Sequence, residues 1–259
     1  MQSSIIAKLL SVLTAISETQ KPMTFSDLVR KTGLNKSTLH RLLAIGIQER
    51  LIQHDKHLKA YLLGSKVFDL VRGAYQGYDI QAIALDEMIK LHAQFDANVT
   101  IGVASGSEVV YLRVLESQHS LRGVQRPGMR EPLHCSASGK ALMAFLPDKV
   151  IASRLDGYEF TRFTDRTVGS NEAFMDALQQ VRADGFAMND REEFENFIGI
   201  SAPVFNYLSE PIAVLNIWTD TSRHTLSDLQ DWSDSLRQST ERVTGLIGGV
   251  APTLASLRA

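Results

Sequence analysis

The chain has 259 residues, 44% of them hydrophobic and 22% charged, with a formal net charge of −2. These are globular values, which exclude a disordered, collagen-like or coiled-coil chain and leave room for one large or two modest domains. No apolar run approaches the ~20 residues of a membrane span, the opening MQSSIIAKLLSV lacks a signal-peptide pattern, and the single cysteine, Cys135, allows no internal disulfide. A reducing cytoplasm and no membrane are therefore expected. No Cys/His cluster has zinc spacing, so neither a metal nor another cofactor is expected.

Charge divides unevenly along the chain. Residues 1–64 hold nine Lys and Arg against four Asp and Glu, a net +5, and the rest holds eighteen against twenty-five, a net −7. A basic module joined to an acidic one implies that the first meets a polyanion.

Residues 4–19 set Ile6, Leu9, Leu10, Leu13 and Ile16 on one helical stripe, and Pro22 fits a stop after it. Thr24 caps a short second helix, with Asp27 three residues on as a capping-box variant. Leu28 and Val29 point inward there, and Gly33 ends it. Asn35 caps a third helix, so only Gly33-Leu34-Asn35 separates the two, the spacing of a helix-turn-helix. On the third helix Leu39, Leu42, Leu43, Gly46 and Ile47 face a core, while Lys36, Ser37, His40, Arg41, Ala44 and Gln48 face outward. A small, basic helix start of this kind approaches a major groove closely. Residues 51–54 and 58–62, joined at Asp55-Lys56-His57, read as a two-stranded wing. The expected contacts to a double-stranded DNA operator are Ser37, Thr38, His40 and Arg41 in the groove and on its backbone, with Lys36, Lys56 and Lys59 on phosphates.

Residues 65–79 read as a connecting helix that buries Val67, Phe68, Leu70 and Val71 against a partner subunit, loosened by Gly73 and Gly77. Residues 80–95 form a clearer helix with Ile83, Leu85, Met88, Ile89, Leu91, His92 and Phe95 on a broad apolar face. His92 reads there as a core or boundary histidine, not a ligand. Strands over 99–104 and 108–114 flank Ser105-Gly106-Ser107, a hairpin signal. Helices are expected over 138–146, 148–154, 170–184 and 225–247, and strands over 186–188, 198–205 and 212–217. Helices around a largely antiparallel sheet make an α/β domain of residues 80–250.

The loop His134-Cys135-Ser136-Ala137-Ser138 leads into one of these helices. Exposed N–H groups at a helix start bind anions and suit a carboxylate; Ser136 or Ser138 as a simple N-cap is the other reading, and the two are compatible. Ser138-Gly139-Lys140 is not a P-loop, because the upstream glycine is absent and Ala141 stands where Ser or Thr is needed. His134 and Cys135 are not a nucleophile–base dyad by themselves, since adjacent side chains point apart. Asp190, Glu192, Glu193 and Glu195 read as a solvated loop rather than a paired general acid and base, and a metal held by His134, Cys135 and one of these acids is a weaker reading still. The chain is therefore not expected to be an enzyme.

The run TGLNKSTLHRLLAIGIQERLI (32–52), followed by Tyr61-Leu62-Leu63-Gly64, resembles the N-terminal domain of IclR-type bacterial transcription regulators. REPLHCSASGKALMAF (130–145) resembles that family's signature loop and helix, and GFAMNDREEFENFIGISAPVF (185–205) its late effector-domain motif. The pieces span most of the chain in the right order. The resemblance implies an α/β protein with a winged helix-turn-helix DNA-binding domain at 1–64, a linker helix at 65–79 and a GAF-like effector-binding domain at 80–250. It further implies a homodimer formed through the N-terminal region, often a dimer of dimers, whose operator affinity changes with a small-molecule effector, with the linker as the lever.

Carrying over the family's small-acid pocket gives Ala137 and Ser138 at the loop, beside Ser136, and Asn189, Gly199, Asn216 and Trp218 from the sheet and its neighbouring loop. Members that bind small oxo-acids commonly carry Asp in place of Asn189 and Cys in place of Gly199, and often Ser in place of Asn216 and Trp218. These departures argue against a glyoxylate- or pyruvate-like ligand. They favour a small organic acid, cyclic or aromatic, stacked near Trp218, with Trp218 as plain core the alternative. The competing function is a metabolite-binding or hydrolytic α/β protein whose N-terminal module makes protein contacts; the +5 module and the small-residue start of the third helix favour the regulator.

Overall fold

A computed structural model describes residues 5–19, 21–67, 69–70, 79–119 and 126–252. The chain divides into two units, Met1–Tyr78 and Asp79–Ala259.

The first unit runs α1 (Ile5–Ser17), β1 (Met23–Thr24), α2 (Phe25–Thr32), α3 (Lys36–Gln48), β2 (Ile52–Asp55) and β3 (Ala60–Leu63). Thr24 Oγ1 accepts the Asp27 N–H while the Asp27 carboxylate accepts the Thr24 N–H, which starts α2. Gly33 closes it at φ 66°, in the left-handed region. Asn35 Oδ1 then accepts the Thr38 N–H at 2.8 Å and starts α3. Val12, Ala15, Ile16, Leu28, Leu39, Leu42, Leu43 and Ile52 form the core that holds the three helices against the wing.

Three expectations change here. Ile47 is 42% exposed rather than inward. Gly46 is buried against the wing as expected, and a Cβ there would lie 2.5 Å from Ile52 Cδ1, so a larger residue would make the Ile52 side chain shift. In α1 the buried stripe turns toward Val12, Ala15 and Ile16, leaving Ile6 and Leu10 exposed. In the wing, Asp55 Oδ1 accepts the N–H groups of His57 and Leu58, at 2.8 and 3.0 Å. That side-chain bonding draws Leu58 and Lys59 out of the strand into a turn over 56–59, with Lys59 at φ 48°. The two-residue β1, too short to show a period, adds a third strand by pairing Met23 with Tyr61. Residues 65–67 and 69–70 are helical; the rest of the expected connecting helix, up to residue 78, lies outside the described residues.

The second unit runs α4 (Ile80–Phe95), β4 (Asn98–Ser105), β5 (Glu108–Leu115), β6 (Arg130–Pro132), α5 (Ala137–Ala144), α6 (Asp148–Leu155), α7 (Asn171–Asp184), β7 (Ala187–Asp190), β8 (Phe197–Phe205), β9 (Pro211–Asp220) and α8 (Leu226–Leu246). Its sheet is antiparallel with strand order β6-β5-β4-β9-β8-β7. Ile198, Ile200, Ala202 and Val204 of β8 and Ala213, Leu215 and Ile217 of β9 pack against α4 and α8. By the two-residue period of a strand, Gly199, Ser201, Val214, Asn216 and Trp218 face the other side, where α5, α6 and α7 build the second core.

The fold is α/β, a winged helix-turn-helix followed by a GAF-like domain. β6, only three residues long, carries no periodic signal in the sequence, and β7 and β9 run further than their apolar runs suggest, so that Asn189 and Trp218 stand in strands. On α4, Ile89 is exposed and Glu87 is buried instead, held by Lys90 at 2.6 Å and Arg242 at 2.9 Å. Among the described residues no helix is long and apolar enough to cross a membrane.

Candidate nucleic-acid interface and effector cavity

The outer face of α3 begins at its capped N-terminus. Lys36, Ser37, His40 and Arg41 are exposed and Thr38 is half-buried. Ser37 Oγ donates to Asn35 Oδ1 at 2.9 Å, so the cap also fixes the first outward hydroxyl. Lys56 and Lys59 are exposed on the wing turn. The ion pairs of this unit among the described residues are Arg30–Asp27 and Lys31–Glu18, which leave the cations of α3 and of the wing without carboxylate partners. Lys8 of α1, given no role by the sequence, lines a groove of about 430 Å³ with Ser37, Thr38 and Arg41.

In the second unit, Ala137, Asn189, Gly199, Asn216 and Trp218 line one small cavity of about 30 Å³, room for roughly two waters. Strand register brings them together: Asn189 pairs with Gly199, Gly199 with Trp218, and Asn216 with Ser201 and Thr100. Two expected residues stand outside the lining. Ser136 caps α5, its Oγ accepting the Gly139 N–H at 3.0 Å and donating to the Pro132 carbonyl at 2.8 Å. Ser138 sits behind the wall in a chain of side chains: Tyr111 Oη lies 3.0 Å from Ser138 Oγ, Ser138 Oγ 3.1 Å from Ser201 Oγ, Ser201 Oγ donates to Asn216 Oδ1 at 2.8 Å, and Asn216 Nδ2 donates to Thr100 Oγ1 at 3.2 Å. With Gly139 bonded to the cap, the N–H groups of Ala137 and Ser138 remain without a partner among the described residues.

The cavity also holds residues that the sequence reading missed: Tyr111, Glu131, Glu193, Phe194 and Phe197. Tyr111 donates to Glu131 Oε2 at 2.5 Å, and burial with that carboxylate alongside pushes the phenol well up. Burial first, and then the neighbouring Glu131, push the Glu193 carboxyl up to about 8. The reading of a solvated acidic loop is thus corrected for two members. Glu192 is buried in an ion pair with Lys140, its carboxyl pushed up by burial against the pull of that lysine, and Glu193 is half-buried on the cavity wall. Glu195 is exposed, and Asp190 is paired with Arg166 and Arg191. The missed signal was Lys140, a charge inside an otherwise apolar helix that had to find a partner.

Cys135 is buried and its thiol is pushed up by that burial, the state of a small hydrophobe and not of a nucleophile. His134 turns away from it, with ring nitrogens 2.8 Å from Tyr158 Oη and 3.0 Å from the Thr161 carbonyl. Trp218 is 6% exposed, packs edge-on against Phe197 at 5.0 Å, and its Nε1–H is buried without a partner among the described residues.

Residues 73–244 match the family described as bacterial transcriptional regulator IclR C-terminal, and residues 6–55 match the IclR helix-turn-helix domain. The HTH-type transcriptional regulator XynR of Escherichia coli is 30% identical over 234 residues, covering 90% of this chain and 93% of that protein. The crystal structure of the Agobacterium tumefaciens repressor BlcR superposes with a TM-score of 0.76 at 21% identity, covering 94% of this chain and 96% of that one. The inducer-binding domain of the PobR transcription factor from Acinetobacter, crystallised as a double mutant in complex with 3-hydroxybenzoic acid, is 26% identical with a TM-score of 0.60, covering 64% of this chain and 98% of that one.

Proposed function

The chain belongs to the IclR family of bacterial transcriptional regulators, and from that premise we propose that α3 and the wing bind a double-stranded operator whose affinity is set by a small organic acid in the cavity of the second unit. Residues 1–64 are then the DNA-binding domain, 65–79 the linker and 80–250 the effector domain. The observation that carries this reading is the exposed face of α3, where Lys36 and Arg41 flank Ser37 and His40 with no carboxylate paired to them among the described residues. A homodimer in the cytoplasm, alone or as a dimer of dimers, would set two such helices about 34–36 Å apart in successive major grooves.

The organic acid is supported by the N–H groups at the start of α5 that have no partner among the described residues, by the rings of Phe197 and Trp218, and by the aromatic acid held in the PobR domain. At about 30 Å³ the cavity is smaller than such a ligand, so uptake opens its wall. A ligand that fits only the opened arrangement shifts the population toward it, and that shift is what reaches the DNA. The test is to select duplexes bound by the full-length protein from a random pool, then measure affinity for the selected operator with and without a stabilising acid. An inverted-repeat operator whose affinity changes on adding the acid is expected. A protein that enriches no duplex, or whose DNA affinity ignores every acid that binds it, contradicts the reading.

A further inference from the structure

We propose that Lys8 of α1 holds a backbone phosphate of the duplex in the groove between α1 and the start of α3, so that the DNA-contacting surface includes a helix outside the helix-turn-helix and the wing. This deepens the DNA-binding reading above and rests on it.

The groove, of about 430 Å³, is lined by Ile5 and Lys8 from α1 and by Ser37, Thr38, Arg41 and Leu42 from α3. No side chain on that lining carries a negative charge, and neither Lys8 nor Arg41 is paired with a carboxylate among the described residues. Ser37 Oγ already donates to Asn35 Oδ1, which leaves the two cations and the Thr38 hydroxyl as the donors of the groove. Such a set suits a group that is anionic and only accepts, as the free oxygens of a phosphodiester are. Lys8 is half-buried whereas Arg41 is exposed. The Lys8 stem therefore lies partly out of water already and gives up less side-chain freedom when its ammonium takes a partner.

Dimensions place a phosphate there. A major groove is about 12 Å wide and a helix with its side chains about 10–12 Å across. A helix whose first residues read base edges thus fills the groove, and its flanks abut the phosphate walls. Lys8 stands on the flank of α3 at that end. It also points away from the exposed apolar side of α1. Ile6 and Leu10 are each two positions from Lys8, about 200° around the helix axis. A partner subunit that covered Ile6 and Leu10 would leave Lys8 on the side of α3 and the groove.

The test is binding of the full-length protein to the selected operator and to a random-sequence duplex, from about 0.05 to 0.3 M salt. Lys8→Ala is expected to weaken both duplexes by the same factor, about eightfold at 0.1 M salt, and to lower the salt slope by about one, as for one counterion no longer released. Lys8→Gln, which keeps the stem and removes the charge, should do the same. Lys8→Arg should hold the wild-type slope, since either cation neutralises a phosphate. A wild-type slope in a Lys8→Ala or Lys8→Gln protein that still melts cooperatively overturns the inference and leaves the DNA reading standing. So does a loss confined to the selected operator, which would place Lys8 on a base, and so does a slope that falls equally in Lys8→Arg. Wild-type protein that binds neither duplex in a salt-dependent way overturns the DNA reading and this inference with it.

Discussion

Gly199 and Trp218 are register partners across β8 and β9, and a Cβ on Gly199 would lie 3.3 Å from Trp218 Cβ and 3.2 Å from the Ile217 carbonyl oxygen. The glycine therefore makes the space in which Trp218 and Asn216 face the cavity. The Gly199→Ala variant is expected to lose about 1 kcal/mol or more of stability, because the crowded atoms are backbone and Cβ, which have no rotamer to yield. Thermal unfolding measures the loss, and a shift in Trp218 fluorescence should accompany it. An unchanged melting temperature and spectrum would show that the strand pair has slack.

Glu193 gives a pH dependence of defined sign. Its carboxyl sits near about 8 in the folded chain against an ordinary 4.5, so between those values the folded state binds more protons than the unfolded one. Stability contributed at this site is therefore full below 4.5 and is lost as pH rises toward 8. Carboxylates elsewhere, such as Glu87 with Arg242 and Asp228 with Thr225, are pushed down and act in the opposite direction in acid. The informative quantity is thus a difference: wild type should lose more stability than Glu193→Gln between pH 5.5 and pH 8. Parallel melting curves across that window would show that burial on the cavity wall does not raise the Glu193 carboxyl.

Tyr111 bridges Glu131 and Ser138 at 2.5 and 3.0 Å in a fully buried position. Replacing it by Phe preserves the ring and deprives Glu131 of that donor. The expected cost is about 1–3 kcal/mol, read by chemical denaturation. A neutral effect would mean that water replaces the hydroxyl.

Asn35 holds both the Thr38 N–H and the Ser37 hydroxyl at the start of α3. Asn35→Ala should cost about 0.5–2 kcal/mol and should weaken operator binding beyond what stability explains, because the helix end that would enter the groove frays. Operator affinity measured well below the melting temperature separates the two effects; wild-type affinity there would place the groove contacts elsewhere on the helix.

Local chemistry was readable wherever a residue acts on its own neighbours. The caps at Thr24 and Asn35, the break at Gly33 and the core stripe of Leu39, Leu42 and Leu43 stand where their spacing puts them. What escaped depends on contacts that spacing does not encode. Ile47 stays exposed while its neighbour Gly46 packs against Ile52, and Lys59 leaves its strand because the Asp55 carboxylate captures two backbone N–H groups. The cavity was half legible. The family resemblance supplied Ala137, Asn189, Gly199, Asn216 and Trp218, but Tyr111 and Glu131 arrive through β5 and β6, the latter three residues long and without a periodic signal. Glu193 was hidden in an acidic run where Glu195 is exposed and Glu192 pairs with a lysine fifty-two positions away.

The central claim, that the outer face of α3 and the wing lie on a duplex, is tested most directly by the salt dependence of operator binding. The affinity of the full-length protein should be measured from low to high salt, with Lys36, Arg41, Lys56 and Lys59 replaced singly by Ala. The account predicts a linear fall of log affinity with log salt, its slope reduced by about one in each variant that loses a phosphate contact. Wild-type slopes in all four variants would contradict it.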